Sequence, residues 1–185
     1  MKTVTDKAVL HPFERLLEID RCNLERGLPP ARARLQAAGR GLLAVRVGEW
    51  RLIFAMDDIT EITPVPRITR VPGMQPWLLG IANSRGTVIA VVDLQAFLGG
   101  KPASFMAGSH LLLVCSGEWH YGLVVDEIIG TRQFGPARQQ NDLATVASGL
   151  QPYITQVFVS EQTHWLVFDV GRLLNDPRFL QAASR

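Results

Sequence analysis

Residues 42–59, LLAVRVGEWRLIFAMDDI, lie without a gap over residues 111–128, LLLVCSGEWHYGLVVDEI, when the chain is slid along itself by 69 positions. Eight of the eighteen positions are identical: Leu42/Leu111, Leu43/Leu112, Val45/Val114, Gly48/Gly117, Glu49/Glu118, Trp50/Trp119, Asp57/Asp126 and Ile59/Ile128. Whatever one copy builds, the other must build again, so the repeat limits the fold more than composition does. Each copy has apolar and β-branched residues on both sides of Gly-Glu-Trp, which reads as strand, tight turn, strand. An acidic pair follows, Asp57-Asp58 or Asp126-Glu127. A weaker echo sets VVDLQAFLG (91–99) over VFDVGRLLN (167–175), with Asp93 over Asp169. The order is A (42–59), B (80–98), A′ (111–128), B′ (156–174).

Each duplicated unit is about 70 residues of short antiparallel strands, a size that suits a small β-barrel, whose closure removes exposed sheet edges. The expected fold is therefore mainly β: two tandem five-stranded barrels sharing an apolar face, near 42–98 and 111–174, within one domain spanning 41–178. Pro64, Pro66 and Pro72 mark an extended connection, and DLQAFLGG reads as a short helix ended by Gly99-Gly100. Before this domain, residues 1–40 read as a helical extension. Pro12 can open a helix, Phe13, Leu16, Leu17 and Leu24 recur at helical spacings, and Gly27 with Pro29-Pro30 breaks the run. Residues 179–185 read as a tail.

A hydrophobic content of 47% against 19% charged residues is a globular balance. The charge is uneven, with eight Lys/Arg against five Asp/Glu in residues 1–40 and eleven against twelve beyond. A net charge of +2, with no Lys/Arg clusters beside Trp50, Trp77, Trp119 or Trp165, argues against nucleic-acid binding. Cys22 and Cys115 lie far apart, and Cys115 ends the apolar run HLLLVC, which reads as a buried free thiol in a reducing cytosol. The N-terminus shows no apolar signal core, and no stretch approaches the ~20 apolar residues of a membrane span. A cytoplasmic protein without direct membrane insertion is expected.

The residues give enzyme chemistry little support. Ser84 lies in NSRG, which lacks the G-x-S-x-G elbow of a serine nucleophile. His11, His110, His120 and His164 have no metal-ligand spacing, although His110 and His120 flank one strand-turn-strand. There is no G-x-G-x-x-G and no phosphate loop. The two acidic pairs resemble acid/base dyads, but their recurrence in both copies fits strand-end or helix-cap duty better. No catalytic residue, cofactor or metal is expected.

One hairpin differs from its duplicate. GIANSRGTVIAVVDL (80–94) carries a polar tip, Asn83-Ser84-Arg85-Gly86, which B′ lacks. The stretch resembles the signature of the CheW family of chemotaxis coupling adaptors, close to G-x-x-N-L-R-G-x-x-x-P-V-x-D-L. Gly80, Asn83, Arg85, Gly86, Val92, Asp93 and Leu94 match; Ser84 replaces the usual Leu and Ala90 the usual Pro. The resemblance runs over about residues 42–175, through DDITEITPVPRITRVPGMQPWLLG and YGLVVDEIIGTRQF. The helical extension, VDEIIGTRQF and the relaxed NSRG are most similar to CheW-like adaptors of type IV pilus (twitching motility) signalling.

The resemblance implies two five-stranded barrels and a non-enzymatic adaptor. Such adaptors join the cytoplasmic tip of a methyl-accepting chemoreceptor to the regulatory domain of a CheA-type histidine kinase. It implies partner-binding roles for Arg85, with Asn83, Ser84 and Gly86 around it, and for Glu61 and Ile59, which match the family's V-x-E-I. Gly122 and Thr131 fall at second-barrel positions implicated in family interactions. Glu61 and Arg85 are expected to pair. Plainer readings stand beside these: Gly86 as a positive-φ turn residue, Asp93 as a helix cap, Arg85 as a solvated turn residue. Trp77 is expected to pack between the barrels or under the linker. Other functions consistent with the residues are a flagellar chemotaxis adaptor and a small-molecule-binding or catalytic barrel.

Overall fold

A computed structural model describes residues 41–103, 108–133, 139–140, 146–160 and 162–182, so the helical extension expected in residues 1–40 lies outside the described residues. Copy A forms β1 (Leu42–Val47) and β2 (Trp50–Ala55), then a single 3-10 turn at Met56–Asp58. Copy A′ forms β6 (His110–Ser116) and β7 (Trp119–Val125). In both, two residues make the turn, and its first glycine has positive φ, 57° at Gly48 and 58° at Gly117. A glycine with positive φ at the first central position is the type II′ pattern, whose twist suits an antiparallel pair. β3 (Glu61–Pro64), β4 (Leu78–Ser84) and β5 (Thr87–Asp93) complete the first repeat. β8 (Glu127–Arg132), β9 (Gln139–Gln140), β10 (Ile154–Ser160) and β11 (Thr163–Phe168) complete the second.

The strands do not sort by repeat. One sheet runs β8-β1-β2-β11-β10-β9, the other β3-β6-β7-β5-β4. Each therefore takes its opening hairpin from one copy and its remaining strands from the other, through parallel pairs β2/β11 and β5/β7. This corrects the expectation that 42–98 and 111–174 are separate barrels. Periodicity shows which face of a strand is buried, not which strand lies beside it. Neither backbone ladder closes on itself among the described residues, so the units are two curled five-stranded sheets, the first extended by the two residues of β9.

Both faces of these strands are buried, which explains the near-continuous apolar runs. Leu43, Val45, Leu52, Phe54, Val92, Leu112, Val114, Leu123, Leu166 and Phe168 face a core shared by the two sheets. The alternate residues line a separate interior in each curl, Leu42, Ala44, Ile53, Trp165 and Val167 in one. Ala82, Ile89, Val91, Leu111, Leu113 and Val124 line the other.

Short helices close the core: α1 (Leu94–Phe97), α2 (Val170–Leu174) and α3 (Pro177–Leu180). Asp93 and Asp169 are their N-caps, accepting from the amides of Ala96 at 2.9 Å and Arg172 at 3.1 Å. Asp93 is also buried and accepts from the Ala103 amide at 2.7 Å, so the motif aspartate is structural. Gly99 follows α1 with φ 86°, the left-handed end that glycine permits. Phe179 and Leu180, read as part of a tail, instead belong to α3, and Phe179 is buried in the shared core. Its ring lies 5.6 Å from Trp77, 5.4 Å from Phe97 and 5.1 Å from Tyr121. Trp77 thus packs between the sheets, as expected.

Tyr153 ties this clasp down. Its hydroxyl donates to Asp176 and accepts from Arg178 Nη2 at 2.7 Å. Burial, then the Asp176 carboxylate, pushes the Tyr153 hydroxyl up to about 12. Burial alone would raise Asp176, but hydrogen bonds from Arg178 and Tyr153 outweigh it and hold the carboxyl below its usual range. Unfolded tyrosine ionises near 10, so the contribution of Tyr153 is whole below that pH and is lost as pH rises through about 12. Melting temperature should therefore fall across that window, and less steeply in Tyr153→Phe; equal slopes in the two proteins would contradict it.

The second acidic pair serves the fold as well. Asp126 Oδ2 accepts from the Gly48 amide at 2.6 Å and from Arg46 Nη1 at 3.3 Å, and Glu127 takes Arg46 Nε at 3.0 Å. The second repeat thereby clamps the turn of the first. Cys115 is a free thiol but only half-buried, which corrects the fully buried reading. It lies beyond the buried run Leu111–Val114, with Sγ 3.3 Å from Thr60 Oγ1.

Candidate docking tip

The β4–β5 hairpin turns at Arg85-Gly86, closed by the pair Ser84↔Thr87. Both central residues have positive φ, 50° at Arg85 and 89° at Gly86, the type I′ pattern. A Cβ at Gly86 would meet nothing within 4 Å, so conformation, not space, calls for glycine there. Arginine in the left-handed region costs roughly 1–2 kcal/mol. The Asn83 Oδ1 accepts from the Gly86 amide at 2.9 Å across the turn.

Arg85 Nη2 lies 3.2 Å from Glu61 Oε1, with side chains 84% and 28% exposed. The expected pair is formed. Its partners come from opposite ends of one sheet, because β3 is one edge and the β4–β5 hairpin forms the other. Glu61 pairs with Leu113 and shares its inward face, so the ion pair links the β3 edge to the hairpin tip.

Gly80 sets the hairpin's outer edge. A Cβ there would sit 2.1 Å from the Thr69 carbonyl oxygen, and bare backbone lets the 69 strand bridge to Ile81. On the outer face, Ile81 is 40% exposed and Val88 63%. The parallel register Ala90↔Tyr121, run two residues back, brings Val88 level with Trp119, 66% exposed. Trp50, the duplicate of Trp119, packs instead on the shared core and approaches Gly100 after α1. The same Gly-Glu-Trp turn is thus covered in one copy and open in the other.

The structure gathers Glu61, Asn83, Ser84, Arg85 and Gly86 at one tip. Ile59 is half-buried and packs on the shared core. Gly122 is buried, and a Cβ there would meet Leu111 Cδ1 at 3.0 Å and Ile89 Cδ1 at 3.4 Å, so its smallness shapes the curl's interior. Thr131 is exposed, but on β8, at the edge of the other sheet. Sequence reasoning missed the row Ile81, Val88 and Trp119. The alternation of Ile81 and Val88 against Ala82 and Ile89 carried the signal for two of them; nothing distinguished Trp119 from Trp50. His110 and His120 stand at opposite ends of their hairpin, opposite Val125 and Cys115. Among the described residues no group of three or more His, Cys, Asp or Glu could hold a metal, and no helix is long and apolar enough to cross a membrane.

The sequence profile of the CheW-like domain matches residues 41–178. Protein PilI of Pseudomonas aeruginosa is 34% identical over 175 residues, 93% of this chain and 96% of that protein, a match that runs well into the first 40 residues. The probable chemotaxis protein CheW of Rhizobium etli is 31% identical over 94 residues, 51% of this chain and 61% of its own length. The crystal structure of scaffolding protein TtCheW from Thermoanaerobacter tengcongensis superposes with a TM-score of 0.61 at 18% identity, over 70% of this chain and 88% of that one.

Proposed function

The chain belongs to the CheW-like family of scaffold proteins, and from that premise we propose that it couples the cytoplasmic tip of a methyl-accepting chemoreceptor to the regulatory domain of a CheA-type histidine kinase. The observation that carries this reading is the exposed Arg85, paired with Glu61 beside an exposed apolar row. A receptor tip is helical, and docking a helix on a surface needs apolar anchors with a few orienting charges. Ile81, Val88 and Trp119 supply the first, and the planar guanidinium of Arg85 supplies the second. The role needs no reacting group, cofactor or metal, and it sets the protein on the cytoplasmic side of receptor arrays.

Retention of the receptor fragment and of the kinase regulatory domain by the immobilised full chain tests the proposal. Failure to retain either at about 10 µM, a weak but measurable affinity, would end it. Trp119→Ala should weaken one of these interactions at least fivefold, the effect of losing about 1 kcal/mol at an interface, while the melting temperature holds. An unchanged affinity for both partners would remove Trp119 from the docking surface.

The pathway we propose is type IV pilus control rather than flagellar chemotaxis. It rests on the PilI match, which spans the extension as well as the domain. Deletion should abolish twitching and spare swimming, and the reverse outcome would assign the protein to the flagellar system.

A further inference from the structure

The geometry points to Asn83 as a positioning residue for Arg85 rather than a contact for the partner. A two-residue turn with positive φ at both positions favours Asn-Gly, Asp-Gly or Gly-Gly, and arginine at the first position works against it. Something must hold the turn in that form. The Asn83 carboxamide does so by accepting the Gly86 amide at 2.9 Å. Were Arg85 to relax to negative φ, its Cα–Cβ bond would take another direction, and the geometry that sets Nη2 3.2 Å from Glu61 would not be kept.

The duplicated hairpin supplies an internal comparison. Its last strand pair is Ser160↔Thr163, but Val159 stands where Asn83 does and its side chain offers no acceptor. The bond thus accompanies the arginine and is not a requirement of the hairpin. Asn83 is itself exposed, opposite Val88.

The inference rests on the receptor-docking reading of Arg85, and its test separates the two. Affinity for the cytoplasmic fragment of a methyl-accepting receptor would be measured for the full chain, Asn83→Ala, Asn83→Asp, Arg85→Ala and the double alanine variant, with Gly86 amide exchange followed by NMR. Loss of one such hydrogen bond predicts roughly fivefold weaker binding for Asn83→Ala. Asn83→Asp, which keeps an acceptor oxygen, should restore most of it. Adding Asn83→Ala to Arg85→Ala should change affinity no further, and Gly86 exchange should quicken in the two variants that carry Asn83→Ala and in neither of the others. Equal weakening by Asn83→Ala with and without Arg85 would make Asn83 a direct contact and overturn the inference, as would unaltered Gly86 exchange. If Arg85→Ala leaves affinity intact, the docking reading fails, and Gly86 exchange still decides whether Asn83 holds the turn.

Discussion

Phe179→Ala is expected to lower the melting temperature by roughly 6–20 °C, the largest effect of any substitution considered for this chain. A buried phenylalanine cut to alanine costs about 3–5 kcal/mol, and a domain of this size loses about 2–4 °C per kcal/mol. Phe179 is 2% exposed and touches rings from the stretch before β4, from α1 and from β7. Its removal therefore opens a cavity that no single neighbour can fill. Leu180, the next residue, is 46% exposed, and Leu180→Ala should melt within a degree or two of the parent. Calorimetry on both variants separates a load on the core from mere proximity to the C-terminus. Equal melting temperatures would show that the clasp contributes no stability.

Arg85→Glu is expected to weaken receptor binding at least tenfold, since removing one partner of an interfacial charge pair costs about 2–5 kcal/mol and a like charge adds repulsion. The new carboxylate would also stand beside Glu61. Arg85→Gly makes the sharper companion. The Arg85–Glu61 pair is exposed and stabilises by less than about 1 kcal/mol. Releasing arginine from the left-handed region returns about 1–2 kcal/mol. Arg85→Gly should thus melt at or slightly above the parent while binding worse. Isothermal titration with the receptor fragment and a thermal melt on the same samples provide the check. A large loss of stability would show instead that the arginine is there to hold the hairpin.

The elements were largely legible in the sequence because their signals are local. The Gly-Glu-Trp turns, the cap Asp93 and the terminator Gly99 each act within a few residues. The Glu61–Arg85 pair was legible only through family resemblance, since nothing in spacing places residues 61 and 85 together. Strand partnership was not legible, for apolar patterning is the same whichever neighbour a buried strand takes. The exposure of Trp119 was hidden for a related reason. It shares its motif with Trp50, and only the tertiary placement of α1 covers one and leaves the other open. Gly122, given an interaction role by the resemblance, is turned to the inside of the curl, which no local pattern in the sequence signals.

The traded hairpins bear on ancestry. A chain made of one repeat alone would hold β1 and β2 with no third strand to receive them, because their neighbours β8 and β11 belong to the other copy. Two such chains could satisfy every strand only by exchanging hairpins about a two-fold axis. The present fold has the strand arrangement that such an exchange would give, joined in one polypeptide. Within that arrangement the two halves are free to differ, and the hairpin tip of one carries Arg85 while its counterpart carries no arginine.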